Sequence, residues 1–206
     1  RVIPGHSLSL VGLGGFILWV GWFGFNAGSS LAVNVSLGLI ALNTHLAAAA
    51  GAVGALLAQR STSSPVLLTT TVNGSLGGLV GITAGCATMS PVFALLSGLI
   101  AGFVVVFGMR LLDRWQLDDV VGAVPVHGFC GIWGTLAAGL FFNGDLFNWG
   151  RVGVQLLGVG VAFVWAFPLA LMLYWLLAKT LGLRTSTQHE QRGLDYAEHA
   201  EVGYPE

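Results

Sequence analysis

The sequence predicts an all-helical membrane protein with six transmembrane helices, and three observations support this fold class. Hydrophobic residues make up 55% of the 206 residues and charged residues only 8%, whereas a soluble domain carries about 25% charged residues. Apolar runs of about 20 residues, the length that spans a bilayer as a helix, recur along the chain. The few basic residues are also placed as six membrane crossings would require.

Six apolar segments can be drawn between short polar breaks. They cover residues 8–28, 31–57, 66–86, 92–112, 120–142 and 152–178. Threading six helices places every Lys and Arg except Arg151 on one side of the membrane. Because short loops rich in Lys and Arg stay in the cytoplasm, we expect both chain ends there. The predicted organisation is a transmembrane bundle over residues 1–182 and a cytoplasmic tail over residues 183–206.

The first segment carries an aromatic and hydroxyl face near its predicted external end. Trp22, Phe25 and Ser29 are spaced i, i+3 and i+7 and therefore share one side of a helix. One interpretation is an aromatic belt at the level of the lipid headgroups. The other is a site that attracts a small cation, because aromatic faces attract cations and a hydroxyl oxygen can accept a hydrogen bond.

The second and third segments are rich in small residues that allow close helix packing. Asn43, Thr44 and His45 form a polar group within the second segment. His45 is interpreted either as a hydrogen-bonding bridge between helices or as part of a transport path. In the third segment, Thr83 lies near the predicted outer end and could face a cavity. Cys86 and Cys130 both lie in apolar runs and are interpreted as small packing residues.

The fifth segment contains His127 inside a run without charged residues. An ionisable residue in such a run is costly and indicates a functional position that faces a bundle interior or a cavity. Pro125 removes a backbone donor two residues earlier, which predicts a kink or irregular turn. Asp118 and Asp119 precede the segment and are interpreted as helix-capping carboxylates.

The two ends of the chain give weaker signals. Pro168 predicts a kink in the sixth segment. From composition alone, the polar tail after Lys179 is interpreted as a disordered end. The chain begins without methionine, and we expect that the N-terminal part of a longer protein is missing.

Several motifs together resemble those of the ammonium transporter family (Amt/Mep/Rh). The matching pieces are PGHS at residues 4–7, ILWVGWFGFNAGS at 17–29, NT-x-x-AAAAG at 43–51, NGSLGGLVGIT at 73–83, DD-x-VGAVPVHGFCGIWGTLAAG at 118–139, GLR at 182–184 and GLD-x-x-x-H-x-E-x-x-Y at 193–204. Three positions depart from the usual pattern. Ala84 stands where many members have proline, Gly122 where many have aspartate, and Ala200 where glycine is usual.

The resemblance implies an eleven-helix fold built from two inverted five-helix repeats and a last helix. The six segments would then be helices six to eleven, the second half of that fold, in a homotrimer with one pore in each subunit. His127 would be the second of two pore histidines and serve as a proton relay. The resemblance assigns recruitment and gating of the substrate to four residues: Trp22, Phe25, Ser29 and Thr83.

The resemblance also assigns a regulatory role to the tail, which would contact the neighbouring subunit and help a PII-type signalling protein to control the pore. The regulatory residues would be Gly193, Leu194, Asp195, His199, Glu201 and Tyr204.

The expected function is transport of ammonium or ammonia across the cell membrane through a hydrophobic pore. An ammonium sensor with little flux is an alternative, and a haem-binding electron carrier with His45 and His127 as axial ligands is another. Ammonium or ammonia and membrane lipids are the expected partners. We expect no enzymatic activity, cofactor, metal or nucleic-acid partner.

Overall fold

All regular elements in the described part of the chain are helical. The computed structural model describes residues 5–34, 36–62 and 65–203. The helices are α1 (Leu8–Gly28), α2 (Ser36–Ser61), α3 (Leu68–Thr83), α4 (Pro91–Arg114), a π-helical turn (Val124–Phe129) that continues into α5 (Cys130–Leu140), α6 (Trp149–Thr180), α7 (Thr187–Arg192) and α8 (Leu194–His199). The chain forms two compact units, one up to Val159 and one from Gly160 onward.

Each of the six predicted apolar segments contains a helix, and the all-helical membrane fold is confirmed. Within the described residues, four helices are long and apolar enough to cross a membrane, namely α1, α2, α4 and α6. The helix α3 has 16 residues, and the π-helical turn and α5 together form a shorter apolar stretch, Val124–Leu140. The predicted ends of α1 agree with the structure.

The second, third and fifth predicted segments extend beyond their helices, and the structure explains two of these differences. The second segment was predicted from residue 31, but Leu31 has φ +52° and the Asn34 side chain accepts a hydrogen bond from the Ser36 backbone N–H at 3.0 Å. The chain therefore turns before α2 begins. The third segment was predicted to reach residue 86, but α3 ends at Thr83. Residues 84–90 form a turn. Two of its backbone carbonyl groups, those of Cys86 and Met89, accept hydrogen bonds from the Asn43 side chain of α2.

The helices α2, α3 and α4 form the tightly packed centre of the first unit. A Cβ atom added to Gly51 would lie 2.3 Å from the carbonyl oxygen of Gly74, and one added to Gly98 would lie 2.2 Å from that of Ala47. Only glycine allows these backbones to approach so closely. The predicted packing of small residues is therefore confirmed, and it fixes the register of all three helices.

Contacts between the helices establish their directions. Gly15 of α1 packs on Val72 of α3, and Trp22 bonds to Thr83 further along both helices, so α1 and α3 run parallel. The helix α5 is also parallel to α3, because Cys130 lies against Gly77 and Gly134 lies against Gly81. The C-terminal ends of α1, α3 and α5 therefore point the same way, as alternating membrane crossings require.

The irregular turn predicted around Pro125 is present as the π-helical turn. It includes Pro125 and His127 and is followed directly by α5. The carboxylate of Asp119 accepts hydrogen bonds from the backbone N–H groups of Ala123 and Val124, each at 2.8 Å. Asp119 thus performs the predicted capping role, whereas Asp118 is exposed.

The second unit includes the tail, which is more ordered than composition indicated. Arg184 binds the Glu190 carboxylate at 2.7 and 3.1 Å, and this hydrogen-bonded contact lowers the pKa of Glu190. Ser186 caps α7, and the guanidinium group of Arg192 lies 4.6 Å from the Tyr196 ring centre. The expectation of a disordered end is therefore wrong for α7 and α8. The predicted regulatory residue Tyr204 lies outside the described residues.

Candidate functional site

The four residues predicted for recruitment form one connected group at the shared end of α1 and α3. The indole N–H of Trp22 donates a hydrogen bond to Thr83 Oγ1 at 2.9 Å. The rings of Trp22 and Phe25 meet edge to face with their centres 5.6 Å apart. The Ser29 hydroxyl donates to the backbone carbonyl of Phe25. We call Trp22, Phe25, Ser29 and Thr83 the recruitment cluster.

The hydrogen bonds of the recruitment cluster determine which groups remain for a ligand. Thr83 donates its hydroxyl proton to the Leu79 carbonyl at 2.7 Å and accepts from Trp22, so it is held on both sides. Ser29 donates its only proton to a carbonyl, which leaves oxygen lone pairs as acceptors. Phe25 is 59% exposed. The cluster therefore presents aromatic surface and a hydroxyl acceptor, a combination suited to a small cation with N–H donors.

A layer of buried polar side chains lies next to the recruitment cluster. Asn26 of α1 donates to Thr44 Oγ1 of α2 at 3.0 Å. Asn43 of α2 donates to the carbonyl groups of Cys86 and Met89, each at 2.9 Å. These three side chains are buried. They join the ends of α1 and α2 to the turn between α3 and α4. Sequence analysis included Asn26 in a family motif but assigned it no role.

His45 makes contacts different from those of its two polar neighbours. Its ring lies 5.4 Å from the ring centre of Trp19 and stacks on Phe23 at 6.2 Å. Both aromatic residues belong to α1. Hydrogen bonding between helices is thus carried out by Asn43 and Thr44, while His45 contributes aromatic packing at the same level of α2.

His127 is exposed within the first unit and lies apart from the recruitment cluster. It belongs to the π-helical turn, three residues before Cys130, which packs against Gly77 of α3. Thr83 is six residues further along α3 than Gly77, about 9 Å along a helix axis. The structure therefore brings the four recruitment residues together and places His127 at a different level of the parallel α3–α5 pair.

A second polar feature was not found by sequence analysis. A cavity of about 590 Å³ lies between the turn after α3, the end of α5 and the beginning of α6. At its edge, Arg151 Nε bonds to Asp145 Oδ2 at 2.7 Å and the guanidinium group lies 4.0 Å from the Phe142 ring centre. Hydrogen bonds lower the pKa of Asp145, and the one from Arg151 contributes more than the one from Asn148. The only sequence signal was Arg151, the one basic residue predicted to lie on the opposite side of the membrane from the others.

Comparison with known proteins identifies the class of this molecule. The family model described as the Ammonium Transporter Family matches residues 1–204. The chain belongs to this family, and the resemblance noted from the motifs is confirmed. The chain is therefore part of a class of multi-pass membrane proteins.

Individual relatives support the same assignment. The chain is 46% identical over 221 residues to ammonium transporter Amt2 of Archaeoglobus fulgidus, covering all of this chain and 47% of the relative. It is 40% identical over 213 residues to ammonium transporter Amt2 of Methanocaldococcus jannaschii, covering all of this chain and 49% of the relative. The chain thus spans about half the length of these relatives.

Solved structures share the fold. A structure titled Sensor Amt Protein superposes with a TM-score of 0.89 at 38% identity, covering 94% of this chain and 49% of that one. The crystal structure of Mep2 from Candida albicans superposes with a TM-score of 0.84 at 25% identity, covering 96% and 49%. The arrangement of helices is therefore that of the Amt and Mep proteins.

Proposed function

We propose that this chain takes part in the transport of ammonium or ammonia across a cell membrane. The observation that carries the proposal is the recruitment cluster, where Trp22, Phe25, Ser29 and Thr83 are joined by direct contacts at one end of α1 and α3. Membership of the ammonium transporter family supports ammonium as the substrate. The cluster combines aromatic attraction with a hydroxyl acceptor, and ammonium offers both a charge and N–H donors.

The proposed mechanism separates binding of the cation from its crossing. Ammonium is charged at neutral pH, as a lysine head group is, and a bare charge in an apolar pore is costly. It is held at the recruitment cluster, releases a proton and continues as neutral ammonia past His127. A neutral imidazole both donates and accepts hydrogen bonds, so His127 can contact ammonia and relay the released proton. Potassium has no proton to release and is rejected.

Further parts of the proposal come from the resemblance to the family. The exposed side of His127 faces the pore, which is completed by parts of the transporter beyond these 206 residues. The protein forms a homotrimer in the inner or plasma membrane, with the tail in the cytoplasm. Six residues of the tail contact the neighbouring subunit or a PII-type regulator, and they are Gly193, Leu194, Asp195, His199, Glu201 and Tyr204.

A sensor with little flux is the second candidate, favoured by the structure titled Sensor Amt Protein. The same recruitment cluster would then bind ammonium as a signal instead of delivering it to a pore. The haem alternative is less well supported, because His45 packs on Trp19 and Phe23 and the family is one of transporters.

Electrical recording on vesicles that contain the protein distinguishes transport from sensing. An inward ammonium gradient is expected to produce a current that protein-free vesicles lack, and an equal potassium gradient is expected to produce none. An ammonium current no larger than that of protein-free vesicles, together with labelled-ammonium uptake no faster than in those vesicles, would contradict transport and leave the sensor as the better assignment.

A further inference from the structure

We propose that Asn43 is a positioning residue that holds Thr83 in the recruitment cluster by fixing the turn between α3 and α4. This inference rests on the proposed transport function. Asn43 itself is placed in α2 and does not belong to the recruitment cluster. Its action on the cluster is therefore indirect, through the backbone of the turn.

The first step of the argument is the hydrogen bonding of the Asn43 amide. The side chain is 0% exposed. Its Nδ2 group donates one hydrogen bond to the carbonyl of Cys86 and one to that of Met89, each at 2.9 Å. Both carbonyls lie between the end of α3 and the beginning of α4, where the helical hydrogen-bond pattern is interrupted. One amide thus supplies donors to two carbonyls of the turn.

The second step is the short connection from this turn to Thr83. Gly85 donates its N–H to the carbonyl of Ile82 at 2.9 Å, and Met89 donates to the carbonyl of Gly85 at 2.9 Å. The turn also packs tightly, since a Cβ atom on Gly85 would lie 2.4 Å from Met89 Cε. A shift of the Cys86 and Met89 carbonyls is therefore transmitted to the last residues of α3, where Thr83 accepts from Trp22.

The third step is the chemistry that Asn43 does not use. Its Oδ1 atom is buried and has no hydrogen-bond partner. An unsatisfied buried acceptor is unfavourable, and a leucine of similar shape would avoid it. Asparagine at this position is therefore explained by its two donated hydrogen bonds, which define the geometry of the turn, and not by an optimal contribution to stability.

The test is a double-mutant cycle between Asn43→Leu and Thr83→Val, with uptake of isotopically labelled ammonium measured as a function of concentration in vesicles that contain the protein. Ser75→Ala is the matched control, because Ser75 is also buried and donates to a carbonyl across the α2–α3 interface, that of Ala48 at 3.1 Å. Asn43→Thr keeps one hydroxyl donor and replaces the leucine variant if that variant does not reach the membrane.

We expect Asn43→Leu to raise KM about tenfold with little change in maximal rate, where tenfold corresponds to about 1.4 kcal/mol. Asn43→Thr is expected to lie between it and the unsubstituted protein, and Ser75→Ala is expected to leave KM unchanged. In the Thr83→Val background, Asn43→Leu should add almost nothing, because the two residues act through the same contact.

Two results would overturn the inference. One is a fall in maximal rate without a change in KM. The other is an equal effect of Asn43→Leu on KM in the unsubstituted protein and in the Thr83→Val protein. Failure of the proposed function gives a different result, because vesicles with the unsubstituted protein would then take up labelled ammonium no faster than protein-free vesicles.

Discussion

The recruitment cluster and the π-helical turn that carries His127 are built in different ways. In the cluster, Trp22, Phe25, Ser29 and Thr83 contact one another within this chain. The turn has its backbone capped by Asp119, but the His127 side chain is exposed. The difference indicates that the proposed binding part of the site is held together by contacts within this chain, whereas the side chain of the proposed relay residue His127 is exposed.

The largest expected effect is that of His127→Ala. The substitution removes the proposed proton relay and is expected to abolish the ammonium-coupled current, because ammonia then loses its hydrogen-bonding partner in the pore. His45→Ala is the control, since His45 contacts the aromatic rings of α1 and is expected to leave most of the current. An undiminished, ammonium-selective current in the His127→Ala protein would contradict the relay.

The next effect is on binding. Trp22→Leu removes an aromatic face and the hydrogen bond to Thr83, and a cation–π contact contributes about 0.5–2 kcal/mol. We expect KM for ammonium to rise by about twofold to thirtyfold, with the maximal rate largely retained. Trp19→Leu removes an aromatic residue from the same helix outside the cluster and should leave KM unchanged. Equal changes in KM for both variants would show that general packing, not the cluster, determines affinity.

A smaller effect is expected at the base of the His127 turn. Asp119→Ala removes acceptors for two backbone N–H groups, a loss that costs about 0.5–2 kcal/mol at a helix N-terminus. The maximal rate should fall severalfold while KM for ammonium is retained, because the recruitment cluster is not involved. Asp118→Ala changes an exposed neighbouring carboxylate and serves as the control. A raised KM in Asp119→Ala would mean that the two regions are not independent.

The smallest effect belongs to the tail, which lies outside both regions. Ala200 has φ +56° and ends α8 in the left-handed conformation, which costs a residue with a Cβ atom about 1–2 kcal/mol. Ala200→Gly should therefore slow hydrogen exchange in α8, whereas Ala197→Gly inside the helix should speed it. Neither should change KM. Faster hydrogen exchange in α8 of the Ala200→Gly protein would contradict backbone strain at Ala200.

The long apolar helices were predictable because membrane burial leaves a direct signal in composition and length. The irregular turn at Pro125 was predictable for a local reason, the missing backbone donor. The end of α3 was not, because residues 84–86 continue the apolar pattern and the turn depends on the distant side chain of Asn43. Tertiary hydrogen bonds of this kind leave no trace in local sequence.

The site was predictable to a similar extent. The shared face of Trp22, Phe25 and Ser29 follows from helical spacing, but its contact with Thr83 depends on the packing of α1 on α3. The order in α7 and α8 was missed because composition does not register a contact such as that between Arg184 and Glu190. The cavity beside Arg151 was missed because its walls come from three separate parts of the chain.

Ammonium binding to the His127→Ala protein tests most directly whether the recruitment cluster binds ammonium independently of His127. Fluorine-labelled tryptophan, with the Trp22 signal assigned by its loss in Trp22→Phe, allows binding to be followed by NMR without any transport. We predict that ammonium shifts the Trp22 signal with the same Kd in the His127→Ala protein as in the unsubstituted one. A Kd weakened by an order of magnitude in His127→Ala would contradict the separation of binding from relay.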